Sequence, residues 1–317
     1  MQRIMVLLAA VLLLLSCSPA QQKTVRIAIN PWPGYEFLYL AEQRGFFKAV
    51  DLNLELVQVS TLSDSQRAYL AGRVDGFAST LIEAIQVEAL GGEPVKVVLA
   101  ADYSNGSDVI VAASEFDSVS ALKGKTVGCE VGSLGLYVLA RALQNEGMTL
   151  SDVNVVNVEQ GDGKNQLIQG NIDAMVTYPP YSTEYIREEL AHQIFGSDII
   201  PWEILDTVSV SDAVLKTHPD LVNKLWQAWQ MALDDYASNP EAGAALMAAR
   251  EGISSREFTD ALNGVHIISS NEQRKLFVTD SEINQKMQSV CATLVEVNAL
   301  ETDCTHIADI LWSQGRE

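Results

Sequence analysis

The sequence is short of positive charge, histidine and cysteine. Its 317 residues hold 21 Lys and Arg against 41 Asp and Glu, a formal net charge of -20, with only four His and four Cys. A chain this acidic repels nucleic acid and anionic lipid. No basic patch interrupts the acidity, so nucleic-acid binding is excluded. No spacing of Cys and His resembles a metal site, and no cofactor is expected.

Long apolar runs are also missing, except near the amino terminus. Arg3 precedes a continuous apolar run at 4–15, which is too short to cross a bilayer comfortably as a mature helix. The run ends at Ser16-Cys17, which resembles a bacterial lipobox. We expect residues 1–16 to be a lipoprotein signal peptide, residues 17–23 a tether and Cys17 the lipidated anchor. An ordinary cleaved signal with an incidental Cys is the alternative, and either one exports the protein to the periplasm or cell surface.

The other cysteines have separate interpretations. Cys291 and Cys304 flank a short segment near the carboxyl terminus, and export makes a disulfide between them possible. Cys129 lies in an apolar strand pattern and is interpreted as an inert core residue.

Two parts of the chain repeat one order of elements. In each, a buried strand leads through a loop into a helix, and a second strand and helix lead to a third strand. The third strands begin near Gly72-x-Val74-Asp75 and Gly170-x-Ile172-Asp173. Alternating strands and helices predict parallel sheets joined by right-handed crossovers. The repeat therefore predicts two similar α/β lobes.

The lobe boundaries follow from where the chain passes between them. The polar segment 102–106 lies between two predicted strands and marks the first crossing, and the return is expected at 206–211. Lobe 1 is then 24–102 plus 210–317, and lobe 2 is 103–209. The predicted fold class is α/β with two lobes, each a mostly parallel sheet flanked by helices.

Several motifs occur in order over nearly the whole mature chain. They are Trp32-Pro33-Gly34-Tyr35-Glu36, Gly45-Phe46-Phe47, Tyr103-Ser104-Asn105-Gly106-Ser107-Asp108, Leu122-Lys123-Gly124-Lys125 and Val176-Thr177-Tyr178. Together they resemble the nitrate/sulfonate/taurine (NitT/TauT) family of ABC-transporter solute-binding proteins. The resemblance implies a type II periplasmic-binding-protein fold, a small-molecule ligand clamped between the lobes, and a partner ABC permease with a cytoplasmic ATPase. It does not identify the ligand, and we expect a monomer.

Ligands of open α/β sheets bind at the carboxyl ends of strands, beside helix N-termini. At those ends, aromatic faces, hydroxyls and a glycine are predicted to bind a small polar ligand. The candidates are Trp32, Tyr35, Ser79, Thr80, Ser104, Ser133, Gly135, Tyr137 and Tyr178. The backbone amides from Ser133 to Leu136 would open a helix and favour an anionic group.

Each candidate also has a structural alternative. Trp32 could brace its turn, the hydroxyl residues could cap helices, and Tyr137 could pack against the hinge. Asp102 and Asp108 flank the first crossing. An acid there could bind an ammonium or amide group of a ligand or cap a turn, and the structural role is the preferred interpretation.

The predicted ligand loops contain no Arg or Lys, although a strongly anionic ligand usually takes a bidentate Arg. We therefore expect a neutral, zwitterionic or aromatic nitrogenous ligand. The expected function is an extracytoplasmic solute-binding lipoprotein that closes about a hinge. One alternative is a ligand-sensing subunit of a membrane receptor. The other is an enzyme of the thiamine-pyrimidine type, which the export signal and the lack of a His paired with Cys or Ser in those loops argue against.

Overall fold

The computed structural model describes residues 23–278, 282–301, 304–305 and 307–313. The predicted signal peptide, Cys17 and almost all of the tether lie outside the described residues. The strands are β1 Val25–Ile29, β2 Leu54–Gln58, β3 Gly76–Thr80, β4 Val95–Ser104, β5 Val109–Ala112, β6 Thr126–Cys129, β7 Asn154–Asn157, β8 Ala174–Thr177, β9 His192–Gly196, β10 Leu205–Ser211 and β11 Val265–Ile267.

Helices separate and follow these strands. They are α1 Glu36–Gln43, α2 Phe46–Ala49, α3 Leu62–Leu70, α4 Leu81–Ala89, α5 Leu134–Asn145, α6 Gln160–Ile168, α7 Tyr181–Arg187, α8 Asp212–Thr217, α9 Leu221–Ser238, α10 Pro240–Glu251, α11 Ser255–Leu262, α12 Ser270–Leu276 and α13 Glu282–Glu296. None of the helices in the described part of the chain is both long and apolar enough to cross a membrane.

The strands form two sheets with related topologies. The sheet of the first lobe has the order β11-β4-β10-β3-β1-β2, and that of the second has the order β7-β6-β8-β5-β9. In each, three strands of the predicted repeat pair in parallel, β2-β1-β3 and β7-β6-β8. The remaining pairs are antiparallel. Both sheets are thus mixed rather than mostly parallel, because β10 in the first sheet and β5 in the second run against the repeat.

The repeated Asp holds the same position in both lobes. Asp75 accepts a hydrogen bond from the backbone N–H of Arg26 at 3.0 Å, and Asp173 accepts one from Thr126 at 2.8 Å. Each carboxylate therefore joins the start of the third strand to the start of the first. These are the structural roles expected of residues remote from the carboxyl ends of the strands.

The crossings between the sheets differ from the prediction. The chain leaves the first sheet after Ser104, enters the second at Val109, leaves it after Gly196 and re-enters the first at Leu205. The segment 206–211, predicted as the return crossing, is strand β10, which lies between β3 and β4. Its alternation of small polar and apolar residues suits a central strand as well as a hinge, and the sequence does not separate the two.

The carboxyl-terminal helices cover the first sheet. Along α9, Leu221, Leu225 and Trp229 are buried, as the apolar stripe predicts, and Leu233 is half-buried. Cys291 of α13 and Cys304 form a disulfide. Cys129 is buried at the end of β6 and is not in a disulfide.

Candidate ligand site between the lobes

The carboxyl ends of the repeated strands in one lobe face those of the other lobe, and the loops that follow them are in contact. The Trp32 ring, after β1, meets the Tyr178 ring, after β8, edge to face with centroids 6.0 Å apart. The Tyr181 hydroxyl donates to the Ser60 carbonyl oxygen at 2.9 Å. At the rim, the Arg67 guanidinium of α3 pairs with Glu159, which precedes α6, at 3.2 Å. The loops predicted to bind a ligand thus form one interface.

The loop after β1 is tied to two buried acids. Trp32 Nε1 donates to the Asp102 carboxylate at 3.2 and 3.3 Å, and the Tyr35 hydroxyl donates to Asp206 Oδ1 at 2.5 Å. Between them, Gly34 passes so close to Asp102 that an added Cβ would lie 1.7 Å from Oδ2. The position therefore requires glycine because the carboxylate fills the space of a side chain.

The same loop is fixed from behind by a buried ion pair. Arg250, at the end of α10, donates to Glu36 Oε1 and also to the Ile29 carbonyl oxygen at 3.2 Å. Its side chain is only 3% exposed, and that of Glu36 is fully buried. Burial raises the pKa of Glu36 to about 7, and Arg250 opposes that rise. Helix α10 therefore positions the loop that carries Trp32 and Tyr35.

Glu83 caps a helix in each lobe. In the first lobe its Oε2 accepts from the Thr80 backbone N–H at 2.9 Å and from the Thr80 hydroxyl at 2.5 Å, which completes a capping box at α4. Across the interface its Oε1 accepts from the Leu134 backbone N–H at 2.8 Å and from the Ser133 hydroxyl. The carboxylate therefore occupies the N-terminus of α5, where the sequence predicts an anionic ligand group.

Five buried acids meet at this interface, and we call them the carboxyl cluster. Each is at most 3% exposed, and they come from four strand ends and one helix. They are Glu83, Asp102, Asp108, Glu130 and Asp206. None of them forms an ion pair with a Lys or Arg of the described residues, since every such pair involves other acids.

The protonation of the cluster follows from that burial. Desolvation raises the pKa of Asp102 to about 8, that of Asp108 to about 7 and that of Glu130 to about 8. The pKa of Asp206 lies well above its usual value, first because of burial and then because of the charges on Asp102 and Asp108. Carboxyls this close together without a cation retain protons at neutral pH.

The predicted hydroxyls have defined partners. Thr80 caps α4, whereas the Ser79 hydroxyl donates to the Thr80 carbonyl oxygen at 2.9 Å. Ser104 joins the two crossings, because its Oγ lies 2.7 Å from Ser197 Oγ and accepts from the Asp108 backbone N–H at 3.1 Å. Ser133 is the residue before α5 and bonds to Glu83 rather than to its own helix.

Two other candidates lie beside the interface. A Cβ on Gly135 would meet the Glu130 backbone N at 2.9 Å, so this glycine lets α5 pack closely on the strand end that carries Glu130. The Tyr137 hydroxyl donates to Glu203 at 2.8 Å in the return crossing, and Arg141 pairs with the same carboxylate at 2.7 Å. Tyr137 therefore packs against the crossing, which was its structural alternative.

The acids are what sequence reasoning missed. Asp102 and Asp108 do not cap a turn as interpreted, because Asp102 lies inside β4 and both are buried in the cluster. Their positions at strand ends were visible in the sequence. Asp206 lies in the segment predicted as the return crossing, and nothing in the sequence distinguishes Glu83 and Glu130 from other acids of a helix and of a strand end.

Comparison with known protein families shows to which family the chain is related. Residues 32–243 match the family described as NMT1/THI5 like. The chain belongs to the NMT1/THI5-like family. Among curated relatives of this NMT1/THI5-like chain, a protein of Brucella abortus (strain 2308) whose name assigns it as a binding protein is 25% identical over 202 residues. That match spans 62% of this chain and 62% of the relative's length.

A second relative of the NMT1/THI5-like chain carries the name of an enzyme. The 4-amino-5-hydroxymethyl-2-methylpyrimidine phosphate synthase THI5 of Saccharomyces cerevisiae (strain ATCC 204508 / S288c) is 24% identical over 231 residues. The match covers 67% of this chain and 66% of the synthase. At this identity and coverage, the name describes the relative alone.

Solved structures share the fold of the NMT1/THI5-like chain. The alkanesulfonate-binding protein SsuA of Xanthomonas axonopodis pv. citri, bound to MOPS, matches with a TM-score of 0.74 and 15% identity, covering 93% of this chain and 100% of that one. The periplasmic nitrate-binding protein NrtA of Synechocystis PCC 6803 matches with a TM-score of 0.72 and 12% identity, covering 90% and 84%. The predicted two-lobed periplasmic-binding-protein fold is confirmed.

Proposed function

We propose that this chain is an extracytoplasmic solute-binding lipoprotein of an ABC importer, which captures a small polar metabolite between its lobes and delivers it to a membrane permease. The observation that carries the proposal is the meeting of both sets of strand ends at one buried interface, through Trp32, Tyr178 and Glu83. A fold of two lobes joined by two crossings closes about a ligand by rotation at the crossings. Lipidation of Cys17 would hold the protein at the membrane beside its permease.

Catalysis is the weaker candidate, despite the synthase named among the relatives. His192 and His266 are exposed or half-buried, and His218 bonds to the Lys23 carbonyl oxygen at 2.9 Å, away from the interface. The described histidines therefore do not contact the carboxyl cluster. Cys129 is a buried thiol whose pKa is raised to about 12 by burial, which disfavours the thiolate that a nucleophile needs.

A ligand-sensing subunit for a membrane receptor would use the same capture and closure. The two roles differ in the partner, so the test is cross-linking of the lipidated protein in its native membrane. Recovery of a permease and its ATPase supports import, and recovery of a kinase or cyclase supports sensing. Cys17→Ser should leave folding unchanged and release the protein from the membrane fraction.

Closure and capture need a separate measurement. Mass spectrometry of small molecules released from the protein as purified would identify what it captures. Small-angle scattering, before and after stripping and re-addition of that molecule, should show a smaller radius of gyration with it. An unchanged radius with a molecule that binds would rule out capture by hinge closure.

A further inference from the structure

The interface disfavours an anionic ligand at the N-terminus of α5, the position where the sequence predicts an anionic group. The N-terminus of α5 is occupied by Glu83, which accepts from Leu134 N and Ser133 while also capping α4. An external sulfonate or carboxylate would have to displace the Glu83 carboxyl and bury its own negative charge beside the cluster without a cation. Burial of an unpaired charge costs several kcal/mol, so the arrangement disfavours anionic ligands.

The cluster instead leaves carboxyl oxygens without a donor from a neutral or basic group. Among the described residues, no N–H or hydroxyl group donates to Asp108 Oδ2, Asp206 Oδ2 or Glu130 Oε1, and these three residues are at most 3% exposed. The charged groups that face them from neighbouring elements are all acidic. Asp102 and Asp108 face Asp206, Glu83 faces Asp108, and Glu159 and Glu83 face Glu130. A bound positive group would satisfy these atoms, since buried polar groups in native proteins are normally paired.

Aromatic rings adjoin the same acids. Trp32 bonds to Asp102, Tyr35 bonds to Asp206, and the Trp32 and Tyr178 rings are in edge contact. Aromatic faces attract cations and flat organic groups. Among the described residues, no group of three or more metal-ligating side chains could hold a metal ion. The chemistry therefore favours an organic cation over an inorganic one.

We propose that the interlobe site binds a small, flat organic cation, a protonated amine or amidine, with its positive group on Asp108 and Asp206 and its body against Trp32 and Tyr178. This rests on the proposed solute-binding function and specifies the ligand class. It narrows the ligand class expected from the sequence, a neutral, zwitterionic or aromatic nitrogenous compound. The acids that favour a cation come together only in the folded protein.

The test uses three probes of nearly the same shape that differ in charge: benzamidine, benzamide and benzoate. Binding to the full exported chain is measured by calorimetry at about pH 7.5. We expect benzamidine to bind at least about tenfold more tightly than benzamide, and benzoate not to bind. Benzamidine should also release protons, measured with an indicator dye in weakly buffered solution, because a cation displaces protons from the raised carboxyls. Its affinity should fall as the pH is lowered to about 5.5.

Asp108→Asn keeps the size of the side chain and removes the charge. We expect it to weaken benzamidine binding at least about tenfold and to leave the melting temperature at pH 8 equal or higher. Asp117→Asn is the matched control, because its side chain is 95% exposed in the same lobe, and it should bind as the unmodified protein does. If Asp108→Asn lowers the melting temperature, Asp206→Asn serves as a second variant and should give the same loss of benzamidine binding.

Any of three binding results would overturn the cation assignment: no binding of benzamidine, benzoate binding as tightly as benzamidine, or stabilisation by Ca²⁺ or Zn²⁺ instead. Compaction of the lobes by benzoate would also contradict the cation assignment, but it would support the solute-binding function. A failure of every bound probe to compact the protein would count against the solute-binding function itself.

Discussion

Gly34 is the residue at which the loop after β1 passes closest to the carboxyl cluster. Its contact with Asp102 leaves no room for a methyl group, and the Asp102 carboxylate is held in place by Trp32. The glycine of the Trp32-Pro33-Gly34-Tyr35-Glu36 motif is therefore required because the buried Asp102 carboxylate leaves no space for a side chain.

Gly34→Ala should therefore destabilise the protein by about 1–3 kcal/mol, the usual cost of overpacking a buried site. It should also displace the Asp102 carboxylate, and so weaken any ligand that the cluster binds. Chemical denaturation measures the first effect. Gly161→Ala is the control, because an added Cβ there meets nothing within 4 Å. Equal effects of the two substitutions would show that Gly34 is not crowded.

Helix α10 acts on the site at the scale of an element, through the loop after β1. Arg250 crosses from its last turn to Glu36 and to the carbonyl oxygens of Ile29 and Asn30. The helix therefore fixes the loop through one side chain.

Measured at about pH 8, Arg250→Met should cost about 3–5 kcal/mol, because the buried Glu36 carboxyl must then either take up a proton or keep its charge without its cation. Adding Glu36→Gln should recover part of the loss by removing that charge. Urea denaturation of the single and double variants measures the coupling. The exposed Arg256, changed to Met, should have almost no effect. A double variant no more stable than Arg250→Met would exclude a stranded charge as the cause.

The disulfide constrains a second element, the end of α13. Cys291 and Cys304 are separated by 13 positions, and closing a loop of about 15 residues stabilises a fold by about 3 kcal/mol in the chain-entropy account. Cys291→Ala with Cys304→Ala should lose about that amount in denaturation under oxidising conditions. Reductant should lower the stability of the unmodified protein and leave the double variant unchanged. Sensitivity of the double variant to reductant would contradict this origin.

At the scale of the whole molecule, the buried acids make stability depend on pH. Burial raises the pKa values of Asp102, Asp108, Glu130 and Glu36 in the folded protein to about 7 to 8, well above the ordinary values of these carboxyls. Between the unfolded and folded values, the folded state holds protons that the unfolded state has lost. Their contribution is fully present below about pH 4 and is lost as the pH rises through about 8.

We therefore expect the free energy of unfolding of the ligand-free protein to fall between about pH 5 and pH 8. The slope is about 1.4 kcal/mol per pH unit for each carboxyl protonated only in the folded state. Urea denaturation across that range measures it, and Asp108→Asn should reduce the slope. Stability that rises with pH over this range would show that the cluster is paired with cations or solvated.

The sequence predicted the repeated elements and the two-lobed fold well, because those depend on local periodicity. Each lobe contains the three strands and the intervening helices of the repeat in the predicted order. The return crossing was wrongly predicted at 206–211, because a short segment of alternating Ser and Val is compatible both with a central strand and with a linker. The aromatic and hydroxyl candidates follow from one rule, that ligands bind at strand ends. Tyr137 shows the limit of that rule, because it lies one helical turn beyond Ser133 on the same face of α5 and contacts Glu203 in the return crossing instead.

The amino-acid sequence by itself determined the α/β repeat, the structural role of Asp75 and Asp173, and the strand ends at which a site forms, since each follows from spacing along the chain. Only the tertiary structure decided the character of that site. Glu83, Asp102, Asp108, Glu130 and Asp206 are spread over more than a hundred positions, and each alone reads as a cap or a solvated acid. Their burial together, without a cation, results from the packing of two lobes, and no local pattern encodes it.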